Sequence, residues 1–467
     1  MRPVLDPAFD GQVAAHPWDH TTIAGIERSV LRAARYKPQL LSSFLILESR
    51  RGMPHDELLP LKFPEPHVPK NPVLGWSSFS RSIPFDATVD ASTDASSRFP
   101  SVLSLPHKRY VTSARVAIAL ALKRLGVRPG DHVLVPAYHC MSMVEPIVFC
   151  GAIPRFFPLK AGLEVPLEIL ETYDLTKVRA MLVTHYFGFP QWMGVISAFA
   201  RERGIPIIED CAHAVFGLAD GKPFGSWGDY AAASLMKFFP VYDGGCLASA
   251  THDLDDLQLR RPSRRFEAKA LINSIERGLR YRRFPGMQTT ARSTLMFKDA
   301  MWRGYKRIRT GRSPTVFAYH DPAASEGFNG LDPAWLDRRI SFASQQLVEH
   351  LPVGRIIARR RHNYARMAEA LTDLADARPL FARMPDAVVP YVFPLWVERP
   401  ERVFRRLKED AVPLFRWEHL WDDDAARTDP VSARYATEIF QFPCHQELTD
   451  DNVSWMIERI RAAFHAA

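Results

Sequence analysis

Apolar and polar positions change rhythm along the chain. In the first hundred residues no period holds. PLKFPEPHVPKNPVLGW is interrupted by proline, and DATVDASTDASSRFPS by serine, threonine and aspartate. Residues 1–105 therefore read as an irregular extension, a wrapped arm with one short helix in TIAGIERSVLRAARY. From about residue 108 to 250, short apolar runs alternate with helical periods. HVLVPAY, IPRFFPL, RAMLVTHYF, IPIIED, YAAASL and GCLASA predict strands, while ARVAIALALKRLG, LEILETYDL and QWMGVISAFARERG predict helices. That alternation predicts a three-layer α/β domain with a mainly parallel sheet covered on both faces. Ligands of such sheets bind beyond the carboxyl ends of the strands.

Further along, residues 255–312 predict an amphipathic helical block with Leu271, Ile272, Ile275 and Leu279 at helical spacing. Beyond residue 330, LDPAWLDRRISFASQQLVEHL and RRRHNYARMAEALTDL predict helices. A strand in YVFPLWV follows, then helices at ERVFRRLKED and DDNVSWMIERIRAAF. The expected organisation is an extension over 1–105, a large domain over 106–320 that includes the 255–312 block, and a small α+β domain over 321–467.

Composition changes this picture in two places. The chain has 467 residues, 47% hydrophobic and 24% charged, enough for a large core. The opening MRPVLDPAFD lacks a basic region followed by an apolar one, and no apolar run approaches about 18 residues, so neither a secretory leader nor a membrane span is expected. Five scattered cysteines without CxxC spacing predict no disulfide framework and no zinc site, and suit a reducing cytoplasm. The net charge of +8 is concentrated: Arg260–Arg312 holds sixteen Lys/Arg against three Asp/Glu. Three readings of that block stay open: a solvated helical face, a basic surface for peripheral contact with anionic lipid, or a site for a phosphorylated substrate. No nucleic-acid module accompanies the charge, so nucleic acid is not expected as a partner.

The candidate chemistry lies in Ile205–Gly245. One apolar run ends in Asp210, with His213 three residues on; after a glycine-rich loop containing Asp229, a second ends near Lys237. A lysine beside so apolar a run is desolvated, which lowers its pKa and makes it a usable amine nucleophile. An acid and a lysine at neighbouring strand ends suit pyridoxal phosphate: the lysine forms the Schiff base and the acid keeps the pyridinium nitrogen protonated. Thr112 and Ser113 stand at a helix start whose free amides suit a phosphate. His185 ends the strand expected beside that of Asp210, where it is read as a core or supporting residue. Trp417 and His419 in RWEHLW are read either as pocket lining or as small-domain packing.

The blocks HVLVPAYHC, THYFGFP, IIEDCAHA, GKPFGSWGD and SLMKFFPVYDGG, in that order, resemble the DegT/StrS family of pyridoxal-phosphate-dependent aminotransferases, many of which make amino sugars. The resemblance covers residues 108–250 well and 330–467 loosely. It implies the fold-type I architecture, with Lys237 as the Schiff-base lysine and proton carrier, Asp210 on the pyridinium nitrogen and His213 against the ring or its phenolic oxygen. It further implies that Ser234, Ser113 and the amides of Ala114 and Arg115 hold the phosphate. Asn329 in EGFNG resembles an asparagine lent to the neighbouring subunit's phosphate, so a homodimer is implied. By the same resemblance the donor is L-glutamate and the acceptor a nucleotide-linked keto-sugar. The sequence also departs from the family: His139-Cys140 stands where members carry a ring-stacking aromatic, and Gly330 and Leu331 replace a tyrosine and an arginine. Other chemistry on the same cofactor, such as sugar dehydration or transfer to a non-sugar acceptor, stays open, as does a non-catalytic protein working through its basic surface.

Overall fold

The structure is a computed structural model that describes residues 63–82, 99–287, 331–417, 420–421 and 429–465. All belong to one unit, residues 58–467. Its frame is a seven-stranded sheet in the order β1-β9-β8-β5-β4-β2-β3. The strands are β1 (His107–Val111), β2 (His132–Pro136), β3 (Ile153–Phe157), β4 (Val178–Thr184), β5 (Ile207–Asp210), β8 (Tyr230–Ser234) and β9 (Gly245–Ser249). Strand β9 runs antiparallel to both β1 and β8, and the remaining pairings are parallel. A two-residue ladder, β6 (Leu218–Ala219) with β7 (Lys222–Pro223), closes the loop between β5 and β8.

Side-chain size explains the centre of this layer. Strand β8 reads YAAAS and is buried throughout. Helix α1 (Ala114–Arg124) packs across β8 and β9, and its residues Val116 to Leu122 are all buried. Alanines on the strand let the apolar stretch Val116–Leu122 approach closely, and burial on every side of that stretch removes the need for a polar face there. Helices α2 (Met141–Phe149) and α3 (Met193–Glu202) follow β2 and β4.

A second, antiparallel sheet joins β10 (Ala377–Pro379), β11 (Val392–Val397) and β12 (Ile439–Pro443). It is accompanied by α4 (Arg264–Arg280), α5 (Phe342–His350), α6 (Val353–Ala370), α7 (Pro400–Glu409), α8 (Pro430–Glu438) and α9 (Asp450–His465) in chain order, of which α6 and α8 touch β11.

Three expectations are corrected. LEILETYDL forms only one helical turn, Leu167–Leu170. The long helix over LDPAWLDRRISFASQQLVEHL is broken: a 3-10 turn at Pro333–Trp335 precedes α5, with Ser341 capping α5 through Ser344 N. Between them Arg338 and Arg339 bridge to Arg260 and Val111, so tertiary pairing overrides helical propensity. In α4 the buried positions are Ala270, Ser274 and Gly278, not the apolar stripe through Leu271. A Cβ at Gly278 would lie 2.0 Å from the Leu74 carbonyl oxygen, so the small face takes the arm at 63–82. The helix expected in TIAGIERSVLRAARY and the end of the 255–312 block lie outside the described residues.

Candidate active site

Strand β5 ends in two carboxylates that point to opposite faces of the sheet. Glu209 is wholly buried and accepts the amides of Gly225 (3.0 Å), Trp227 (2.7 Å) and Gly228 (2.7 Å). His185 Nε2 lies 3.0 Å from the same carboxylate, and its Nδ1 accepts the Gln191 amide, so the ring proton sits on Nε2 and is donated to Glu209. Glu209 thereby holds the glycine-rich loop, and His185 is a supporting residue. Asp229 fixes the end of that loop by accepting the Ile207 amide at 2.9 Å.

Asp210 is buried as deeply but accepts a single described hydrogen bond, from Ala212 N to Oδ1 at 2.9 Å. Its second oxygen has no described partner. Burial raises its pKa above the ordinary carboxylate value, only partly opposed by the Ala212 amide and the nearby Lys237.

Two strands across from β4, β8 ends at Ser234 and the chain turns through a 3-10 segment, Leu235–Lys237. Burial lowers the pKa of Lys237 below the ordinary lysine value, while Cys140 and Asp210 nearby oppose that shift. The amine lies 5.2 Å from the centre of the Tyr391 ring, and no hydrogen bond or ion pair of Nζ occurs among the described residues. The turn itself is held by Arg360, a fully buried guanidinium. Its Nη2 donates to the Lys237 carbonyl (2.6 Å), its Nη1 to the carbonyls of Pro390 (3.1 Å) and Tyr391 (3.0 Å), and its Nε to Gln446 Oε1 (3.0 Å). Burial brings this group down to about 10.

Ser113 caps α1, accepting Val116 N at 3.4 Å, and Ser113, Ala114 and Arg115 remain partly accessible. A Cβ at Gly245 would lie 2.2–2.6 Å from Ser113 and Ala114, so glycine is what lets β9 carry Ser234 up to this helix start. The hydroxyl of Ser234 makes no described hydrogen bond. The Arg115 side chain pairs with the buried Glu145 at 2.7 Å, which leaves its amide at the helix end.

His213 lies in an aromatic sandwich. Tyr391 stacks on it with ring centres 4.5 Å apart and Phe187 at 5.7 Å; Trp417 stands at 5.3 Å. Its Nδ1 accepts the Phe187 amide, and burial pushes the ring's pKa well down, so it is neutral with its proton on Nε2. Phe187 adopts a left-handed conformation (φ 59°), unusual for a bulky residue. The following Gly188 (φ 99°) would, with a Cβ, meet the Val389 carbonyl oxygen at 2.6 Å. Close packing of this turn on the residues before β11 is what aligns Phe187, His213 and Tyr391.

Cys140 is buried beside Lys237 and Asp210, with Ser142 Oγ 3.4 Å from its sulfur, and burial raises its thiol pKa. His139 points elsewhere. It is neutral, with a pKa lowered to about 4 by burial, and its Nε2 accepts the Trp421 amide at 2.9 Å. Trp417 belongs to the aromatic cluster, 5.0 Å from Tyr138. Asn329 and His419 lie outside the described residues.

The structure thus brings Lys237, Asp210, Cys140 and His213 together, with Ser234 and the α1 start beside the lysine turn. Sequence reasoning missed Glu209, Arg360 and Tyr391. Glu209 had a signal, an acid inside a buried strand, where a charge persists only when fully hydrogen-bonded. Arg360 and Tyr391 had none, because their partners are distant in sequence.

The strand order, with one reversed strand and a lysine turn after β8, defines the fold-type I aminotransferase architecture. Residues 97–267 match the DegT/DnrJ/EryC1/StrS aminotransferase family. It is 31% identical over 165 residues to a GDP-perosamine synthase of Vibrio cholerae, covering 35% of this chain and 45% of that protein. It is 32% identical over 153 residues to a UDP-N-acetyl-3-dehydro-alpha-D-glucosamine 3-aminotransferase of Acidithiobacillus ferrooxidans, covering 30% and 39%. The chain therefore spans less than half the length of these curated relatives. Among solved structures, the aminotransferase TlmJ from Streptoalloteichus hindustanus shares the fold with a TM-score of 0.53 at 23% identity, over 77% of this chain and 86% of that one. A 3-amino-5-hydroxybenzoic acid synthase does so with 0.53 at 19%, over 78% and 88%.

Proposed function

We propose that this chain is a pyridoxal-phosphate-dependent aminotransferase that passes an amino group from L-glutamate to a nucleotide-linked keto-sugar. The observation that carries the reading is a pair of under-bonded charges at adjoining strand ends: the half-buried Lys237, whose amine has no described hydrogen bond, and the buried Asp210, with one oxygen lacking a described partner. A buried carboxylate left so poorly satisfied costs stability unless a ligand completes it. Pyridoxal phosphate fits, because its pyridine nitrogen pairs with a carboxylate, its aldehyde carbon accepts an amine, and its phosphate suits hydroxyls at a helix start.

In this reading Asp210 holds the ring nitrogen, while Ser234, Ser113 and the amides of Ala114 and Arg115 hold the phosphate. Both faces of His213 are already covered, so it contributes through its Nε2–H edge. Cys140 lines the same space. When bound, the cofactor supplies a carbon for covalent attachment of amines and a ring that delocalises an electron pair. Lys237 would supply the amine that holds the cofactor and, as a free amine, would take the proton from the donor's Cα. Its lowered pKa keeps more of the neutral, proton-accepting form near neutrality. The acceptor class rests on the two curated relatives, both of whose names carry a nucleotide-linked sugar. A cytoplasmic homodimer is part of the proposal, with Asn329 reaching the partner's phosphate site.

The test is the visible absorbance of the protein with added pyridoxal phosphate, before and after L-glutamate, beside Lys237→Ala. An absorbance band above that of free cofactor, shifted by glutamate and absent in the variant, is expected. Turnover in Lys237→Ala should fall by about 1,000-fold or more. Absence of the band in the wild type overturns the reading. A band indifferent to glutamate keeps the cofactor and rejects the donor.

A further inference from the structure

We propose that the outer face of α4, with the arm across its end, is a docking surface for an anionic lipid bilayer. The helix lies almost wholly beyond the family segment, which ends at residue 267.

At about 3.6 residues per turn, Leu271, Ile275 and Leu279 fall on one stripe with Ile272 at its edge. An amphipathic helix normally turns that stripe inward. Here the packed stripe is instead Ala270, Ser274 and Gly278; Ile275 and Leu279 are half-buried, and the outer edge of the apolar stripe is left outside, with Leu271 46% exposed and Ile272 54%. The arm supplies two further exposed side chains, Trp76 at 55% and Phe79 at 53%, from one 3-10 turn. Trp76 is fixed at the C-terminal end of α4. Its amide donates to the Arg283 carbonyl at 3.2 Å and its ring meets Phe284 edge-on at 5.1 Å. The surface is thus tied to the fold rather than a loose tail.

Basic residues flank the apolar stripe. Residues 260–287 hold nine Lys/Arg against two acids. Arg261, Arg264, Arg265 and Arg282 are exposed and pair with no acid among the described residues. This charge decides between occupants. A second copy meeting this face across a two-fold axis would set the same unpaired arginines against themselves, a like-charge contact. An anionic bilayer offers both complements at once: headgroups for the arginines, and an acyl boundary for Leu271, Ile272, Phe79 and the amphipathic Trp76 ring. The arrangement is that of a helix lying in the interfacial plane, and no described helix is long and apolar enough to cross a membrane.

The experiment is flotation of the full chain with unilamellar vesicles of phosphatidylcholine, with and without phosphatidylglycerol. Binding to the anionic vesicles and loss of it at high salt are expected. Arg264→Ser combined with Arg265→Ser should weaken partitioning by about 30-fold, each basic residue being worth about fivefold near such a surface. Leu271→Ser with Ile272→Ser should weaken it by about tenfold, and light scattering should show an unchanged oligomer. All four positions are exposed, so an unchanged melting temperature is expected to verify folding. Equal binding to both vesicle types, or none, overturns the proposal. A change of oligomeric mass in Leu271→Ser/Ile272→Ser with vesicle binding intact reassigns the face to contact between copies.

Discussion

Glu209 and Asp210 are neighbours on one strand, equally buried, and opposite in their bonding. Glu209 receives three backbone amides and an imidazole N–H, whereas Asp210 receives one amide. A carboxylate with its lone pairs filled from within is a building element; it orders the glycine loop that turns the chain from β5 into β8. One left with an oxygen and a neighbouring amine that have no hydrogen-bond partner among the described residues has donors and acceptors to spare for a ligand. The strand's alternation puts the two roles on opposite faces, so the scaffold and the site are adjacent without competing for donors.

The comparison breaks most readily on stability. Glu209→Gln keeps the size but aims an NH2 group at donors, and should lower the unfolding free energy by about 3–5 kcal/mol. Asp210→Asn should leave the unfolding midpoint of the cofactor-free protein unchanged or raise it, since the amide side chain keeps an oxygen for the Ala212 N–H and removes a poorly solvated charge. If both substitutions destabilise equally in urea titration, the distinction between scaffold and site fails.

On activity the order reverses. Asp210→Asn should cost about 100- to 1,000-fold in turnover, the scale of losing one preorganised electrostatic partner, with the fold intact by circular dichroism. A third substitution sharpens the contrast between carboxylate and guanidinium. Arg360→Lys can reach only part of the set formed by Lys237 O, Pro390 O, Tyr391 O and Gln446 Oε1. It should cost about 1–3 kcal/mol of stability. Because the lysine turn loosens with it, cofactor affinity measured by absorbance titration should fall by about tenfold. An unchanged affinity would show that Arg360 only packs.

What the sequence disclosed follows the same division. Strands β2, β3, β4, β5, β8 and β9 were legible because each is a short apolar run bounded by turn residues, and Asp210 and Lys237 because charges at the ends of such runs are conspicuous. Strand β1 was not: HKRYV carries three polar residues and is a strand because it pairs with β9. Helix α2 carries Pro146 and was not among the predicted helices, yet forms against α1. Tyr391 was read only as part of a strand, and its place over Lys237 depends on the Gly188 turn and the Arg360 clasp, contacts between segments far apart in the chain. The apolar stripe of α4 was legible as a stripe, but the exposure of its outer edge, Leu271 and Ile272, goes with Gly278 meeting the arm.

The smallest effect is the dependence of stability on pH, and it tests the Asp210 half of the comparison without any assay of activity. Burial raises the folded-state pKa of Asp210 above the ordinary value of 3.8. A raised acid pKa favours the folded state while the group is protonated, and that contribution is lost as pH rises from 3.8 through the folded value. The amide in the Asp210→Asn variant does not titrate. The stability difference between Asp210→Asn and wild type, both free of cofactor, should therefore be smallest in acid. It should grow in the variant's favour through that window and stay level toward neutrality. Pyridoxal phosphate supplies the positive partner, so adding it at neutral pH should stabilise the wild type more than the variant and reverse the order. A difference independent of pH, or one that favours the wild type as the carboxylate ionises without cofactor, would mean that Asp210 is satisfied internally after all, and that its open oxygen marks no site.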